Sequence, residues 1–217
     1  MALISDKVLI SEHILNVGIT HSERLLPAIS WLLQEAGIDF PELSGIAVAI
    51  GPGSFTGLRI GLASAKGLAL ASSLPLVGVL TLEAMARNLP FCRYPICPLL
   101  NARKGEVYWA LYQFEEEELI QVEKEAVSPP EGVANRVREK TVFVGDGAAD
   151  YAPQIKGILG QRALFASATA GTVRASVVAE MGMDRLRRGE RDDLASLVPR
   201  YVRRSEAEIK WGIKIGD

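Results

Sequence analysis

The stretch IAVAIGPGSFTGLRIGLASAKGLA, residues 46–69, changes character twice. Residues 46–50 are all apolar and partly β-branched, the mark of a strand covered on both faces. GPGSFT then breaks the chain, and GLRIGLASAKGLALAS is helical. A buried strand that feeds a helix through a glycine-rich turn points to an α/β protein with helices packed on a sheet. The loop 51–61 resembles a phosphate cradle, but Leu58 and Arg59 stand where a P-loop carries Lys and Ser/Thr. Nor do Gly51, Gly53 and Gly57 spell GxGxxG. Two readings stay open for Ser54 and Thr56: they cap the helix, or they supplement backbone amides that hold an anion.

Within the helix, Gly57, Gly61 and Ala65 recur every fourth residue, with Ser64 and Leu68 alongside. A face this small admits another helix at short range. Leu58, Leu62 and Leu70 are expected to cover the sheet, which leaves the small face either for a second protein or for the helix's own sheet. LPLVGVL, residues 74–80, is a second buried strand. Upstream, Leu25, Leu26, Ile29, Leu32 and Leu33 recur at three and four residues, so Ser22–Ala36 is an amphipathic helix, capped by Ser22 and stopped by Gly37. Residues 2–4, a turn at 5–7 and residues 8–16 form a hairpin. After Pro98, LLNARKGEVYWALYQF gives strand, turn and strand, ending in the acidic patch 115–118. TVFVGDGA is a buried strand running into a Gly-Asp-Gly turn, and a helix follows over 172–188. Each half is a hairpin followed by buried strands and helices, which suggests a duplicated α/β unit.

The chain has 217 residues, 48% of them hydrophobic, ample for a core. A net charge of -2 gives no global field for nucleic acid. Cys92 and Cys97 fit neither a redox pair nor a zinc site and read as reduced and structural. No signal-like segment opens the chain, and the apolar stretch 60–82 carries Lys66 and Pro75, so the expected location is the cytoplasm, without membrane contact. His13 and His21 are the only histidines and match no metal motif. Ser54 lies outside GxSxG, which leaves no nucleophile motif. Between Arg185 and Lys214, nine Arg or Lys face five Asp or Glu; the excess reads either as an RNA phosphate contact or as a solvated helix end and tail.

THSERLLPAISWLLQEAG, the stretch 46–69, NARKGEVYWALY, VFVGDGA and VPRYVRRSEAE follow one another in an order that resembles the TsaB family over nearly the whole chain. The resemblance implies an actin-like (ASKHA) α/β fold of two ribonuclease-H-like halves, here 1–98 and 99–217. It also implies a non-catalytic scaffold in the modification that places threonylcarbamoyl on tRNA adenosine. Such a subunit pairs with a catalytic TsaD-like protein, and a TsaE-like ATPase docks on the pair. The partner-binding residues are then expected on the two helices of the first half, at Ser22, Leu25, Leu26, Ile29, Gly57, Leu58, Gly61, Leu62, Ser64, Ala65 and Leu68. The family motif loop is Gly51, Pro52, Gly53, Ser54, Phe55, Thr56 and Arg59. No cofactor of its own is expected; ATP and metal belong to the partner subunits, tRNA is met through the complex, and the free chain forms a homodimer. Catalytic relatives hold metal through two histidines, and only His21 stands at such a position, with Leu25 in place of the second. Two departures from the family pattern stand out. The strand that usually precedes the first hairpin is lacking, and Asn101 replaces a common Asp, which weakens Mg-nucleotide binding in the cleft between the halves. The alternative is a stand-alone ATP-binding enzyme of the actin-like superfamily; a peptidase would need chemistry for which the sequence offers no motif.

Overall fold

A computed structural model describes residues 1–6, 8–15 and 22–203, with the backbone alone for Ser22 and Glu23. The first half opens with β1 (Ala2–Ile4) and β2 (Leu9–Glu12), an antiparallel pair in which Ala2 lies opposite Glu12. Its second strand is shorter than the sequence suggests, and His21 lies outside the described residues. Helix α1 (Ser22–Ala36) ends where Gly37 turns to φ +64°, the left-handed conformation that glycine adopts without steric cost. Next come β3 (Ile46–Gly51), α2 (Phe55–Ser72), β4 (Leu76–Leu80) and α3 (Thr81–Arg87). β3 and β4 are parallel, and α2 supplies the crossover that parallel strands need. The hairpin and the parallel pair are two separate two-stranded sheets.

The second half carries β5 (Ile96–Asn101), β6 (Val107–Glu115), β7 (Glu118–Ser128), α4 (Pro130–Ala134), β8 (Thr141–Val144), α5 (Asp146–Asp150), α6 (Ala152–Leu159), β9 (Ala163–Phe165) and α7 (Ala175–Arg187). Five of these strands form one mixed sheet in the order β7-β6-β5-β8-β9. β5 is its pivot, antiparallel to β6 and parallel to β8. One face of this sheet buries Leu99, Val107, Trp109 and Phe143 under Ile155 and Leu159 of α6; the other buries Ile96, Tyr112 and Val144 under Leu82 and Met85 of α3. The acidic patch proves to be the hairpin turn between β6 and β7, with Glu116 at φ +55°. β7 itself is an edge strand whose Glu and Lys residues hide it from a periodicity reading and blunt its edge.

Helix α7, within residues 99–217 in sequence, packs on β3, β1 and β4 of the first half. At Gly182 an added Cβ would lie 2.4 Å from the Cβ of Ala47, so only glycine allows this approach of helix to strand. Arg185 of the same helix donates to the Gly78 carbonyl and to Asp192, while Asp192 accepts the Gly78 N–H and donates its own N–H to Leu76. The outer edge of β4 is thereby covered.

Candidate docking surface and glycine loop

The glycine loop is built to start a helix. Ser54 is the N-cap of α2, its Oγ accepting the Gly57 N–H at 3.3 Å. Gly51 has φ +122°, and a Cβ there would lie 2.6 Å from the Arg200 carbonyl oxygen. Its N–H donates to the buried Thr81 hydroxyl at 3.1 Å. The loop is thus held from behind by Thr81 and covered in front by the segment around Arg200. Arg59 does not reach into the loop either. Its guanidinium lies 3.9 Å from the centre of the Phe55 ring and donates to the Tyr201 hydroxyl at 2.9 Å, and the two rings sit 5.1 Å apart. Pro52 is buried, while Thr56 and Gly57 are exposed.

The two helices expected to face a partner flank one cavity of about 880 Å³. Leu25 and Ile29 of α1 and Gly61, Ser64, Ala65 and Leu68 of α2 all line it. The division of labour along α2 differs from the expectation. Ala65 joins Leu62, Ala69 and Leu76 in the core, whereas Leu70, expected on the sheet, is 73% exposed. Leu62 covers the sheet as expected, while the buried face centres on Leu62, Ala65 and Ala69 and leaves Leu70 outside. Gly57, Gly61 and Ser64 form the flank, and a Cβ at Gly61 would meet nothing within 4 Å. On α1, Leu26 is 50% and Trp31 51% exposed, and Trp31 meets the His13 ring edge-on at 5.9 Å. Leu58 packs beside Gly51 and Gly53. The Ser22 side chain lies outside the described residues.

Sequence reasoning missed the lacing of the two halves by residues 200–203. Arg200 donates its N–H to Ile50 at the end of β3 and its Nε to Glu125 on β7, 3.2 Å away. Burial pushes the Glu125 carboxyl up, and Arg200 partly offsets this. Arg203 donates to the Ala102 carbonyl and pairs with Glu106 at the turn between β5 and β6. Much of the described part of the basic stretch 185–214 is held in ion pairs: Arg185 with Asp192, Arg187 with Asp6, Arg188 with Glu190 and Arg200 with Glu125. The arginines beside Tyr201 in VPRYVRR were the available signal, but a net count conceals them. Residues 204–217 lie outside the described residues.

At the end of β5, Asn101 is committed to its own strand end. Its Nδ2 donates to Asp150 at 2.6 Å, its N–H to Asp146 at 3.0 Å, and its Oδ1 accepts the Arg103 N–H. An ionised Asp at 101 would keep the backbone N–H to Asp146 but would set a carboxylate with no donor against Asp150. Among the described residues no group of three or more His, Cys, Asp or Glu side chains is arranged to hold a metal, and no helix is long and apolar enough to cross a membrane.

Residues 16–211 match the family described as TsaD, tRNA N6-adenosine threonylcarbamoyltransferase. Over 214 residues the chain is 34% identical to the tRNA threonylcarbamoyladenosine biosynthesis protein TsaB of Bacillus subtilis (strain 168), covering 97% of this chain and 92% of that one. It is 40% identical over 133 residues to the protein of the same description in Escherichia coli (strain K12), with 58% of each chain covered. A solved structure of an uncharacterized Pseudomonas aeruginosa protein with similarity to peptidase YEAZ superposes with a TM-score of 0.69 at 30% identity, over 84% of both chains.

Proposed function

Because this chain belongs to the TsaB family, whose YeaZ-like members share its fold, we propose that it serves tRNA threonylcarbamoyladenosine biosynthesis as a non-catalytic scaffold for a TsaD-like catalytic subunit. The observation that carries this reading is a pair of helix surfaces on either side of the cavity: a flank of Gly57, Gly61 and Ser64 on α2 with open space at Gly61, and half-exposed Leu26 and Trp31 on α1. A partner helix approaches closely over such small residues, and the exposed apolar side chains of α1 supply further area to bury. A TsaE-like ATPase docks on the resulting pair, ATP and metal act in the partner subunits, and tRNA is met through the assembly in the cytoplasm. Without its partner the same face closes on a second copy of the chain, since apolar surface of this kind is rarely left wet.

The test is Gly61→Trp, whose ring enters the space a partner helix would take. Titration calorimetry against the TsaD-like protein of the same cell should show at least a tenfold loss of affinity with an unchanged thermal midpoint for the free chain. Unaltered affinity would remove α2 from the interface.

A further inference from the structure

We infer that the exposed cations Arg93, Arg138, Lys140 and Arg162, gathered where β5, β8 and β9 begin, form a contact surface for the phosphodiester backbone of RNA, so that this chain touches tRNA directly. The inference rests on the proposed place of the chain in a tRNA-modifying assembly and adds to it a surface on the second half.

The topology gathers these residues. β5, β8 and β9 are mutually parallel neighbours, so all three begin at one end of the second sheet. Ile96 lies opposite Val142, and Thr141 opposite Ala163. Counting back along each strand brings Tyr94 level with Lys140, and Lys140 level with Arg162. Neighbouring strands are about 4.8 Å apart, so the row from β5 to β9 spans about 10 Å at the backbone. Arg93 and Arg138 stand just ahead of it, and all four cations are exposed.

What sets them apart is what holds them. The Arg93 guanidinium lies 4.6 Å from the centre of the Tyr94 ring and donates to the Tyr94 hydroxyl, and Lys140 Nζ lies 5.8 Å from the same ring. Arg162 donates to the Val137 and Arg138 carbonyls at 3.5 and 3.3 Å. A ring and two carbonyls orient cations without neutralising them. Among the described residues none of the four is in an ion pair, whereas nearby Arg136 pairs with Glu123, and Arg185 and Arg200 have carboxylates of their own. The net count over residues 185–214 pointed elsewhere because it could not separate paired cations from unpaired ones.

The same sheet end is split in charge. β6 runs antiparallel to β5, so the acidic turn 115–118 stands beside the row, on the β6–β7 side. It confines a polyanion to the β5-β8-β9 side. A protein partner would meet a patch centred on charge, and the centres of protein interfaces are depleted in charged residues. Interfaces with nucleic acid are strongly positive. Contacts of this kind fix the position of the RNA and leave its sequence unread.

The experiment measures binding of an unmodified tRNA transcript by fluorescence anisotropy over a range of salt, for the full chain alone and assembled with the TsaD-like protein of the same cell. Combined Arg93→Gln, Arg138→Gln, Lys140→Gln and Arg162→Gln should weaken binding at least tenfold at about 50 mM salt. It should also flatten the plot of log affinity against log salt by about 3, since each phosphate contact contributes about 0.7–0.9. Arg138→Gln with Lys140→Gln, which leaves the bonds of the Arg93 and Arg162 side chains in place, should remove about half of that slope. Lys124→Gln with Arg191→Gln, an equal loss of exposed charge elsewhere, should leave it unchanged. An unchanged slope in the fourfold variant, in both the free chain and the assembly, would overturn the inference. So would displacement of the transcript by poly-glutamate as readily as by an unrelated RNA of equal charge, which would assign the row to an acidic protein. Assembly itself is followed by light scattering. Its failure counts against the docking proposal alone, because the free chain still decides the RNA contact.

Discussion

At Glu12 one carboxylate joins two parts of the molecule that are far apart in sequence. Its Oε1 accepts the N–H and hydroxyl of Ser176, and its Oε2 accepts both the Nε and the Nη2 of Arg174, the latter at 2.6 Å. It thereby fastens β2 to the first turn of α7, whose orphan N–H groups favour an anion. Burial alone would raise its pKa, but the bonds from Ser176 and Arg174 outweigh that and hold it below the usual carboxylate range. A lowered folded pKa means that the stabilisation is full above the unfolded value of about 4.3 and is lost as pH falls through the folded one. Glu12→Gln should therefore cost about 2 kcal/mol near neutrality, with the difference from wild type shrinking as the pH is lowered through that range in urea titrations. A constant difference at every pH would remove the charge from the account. Residues that serve their own neighbours were legible in the sequence, as Ser54 and Gly37 show. Glu12 was silent because its partners lie more than 160 residues along the chain.

At the scale of elements, the periods that announced α1 and α2 hold, while the rotation of α2 about its axis was not legible. Periodicity names faces but does not decide which face a sheet prefers. Here Leu62, Ala65 and Ala69 take the core, while Gly57, Gly61 and Ser64 lie on the flank and Leu70 is turned out. Two substitutions check this rotation. Ala65→Leu overpacks the contact with Leu62, Ala69 and Leu76 and should cost about 1–3 kcal/mol. Leu70→Asp, on the exposed side, should change stability by no more than about 0.5 kcal/mol. Chemical denaturation that gives the reverse order would place Leu70 inside. β7 escaped notice for a related reason: an edge strand carries charges to discourage further pairing, and those charges erase the apolar signal.

For the whole molecule, the family and the α/β class could be read from the ordered stretches of sequence, and so could β5, β6 and β8 of the second sheet, whereas its two edge strands β7 and β9 could not. The lacing by residues 200–203 could not be read, since its bonds run from the last described residues to Ile50, Ala102, Glu106 and Glu125. Arg59 is held by Phe55 and Tyr201 and Arg200 lies across Gly51, so the glycine loop is packed against its own chain, and the proposed docking function rests on the α1–α2 surfaces. The most direct test of that claim is light scattering of the chain alone and mixed with the TsaD-like protein of the same cell. The account predicts that a self-associated species gives way to a defined one-to-one complex. Two unchanged, independent species in the mixture would contradict it.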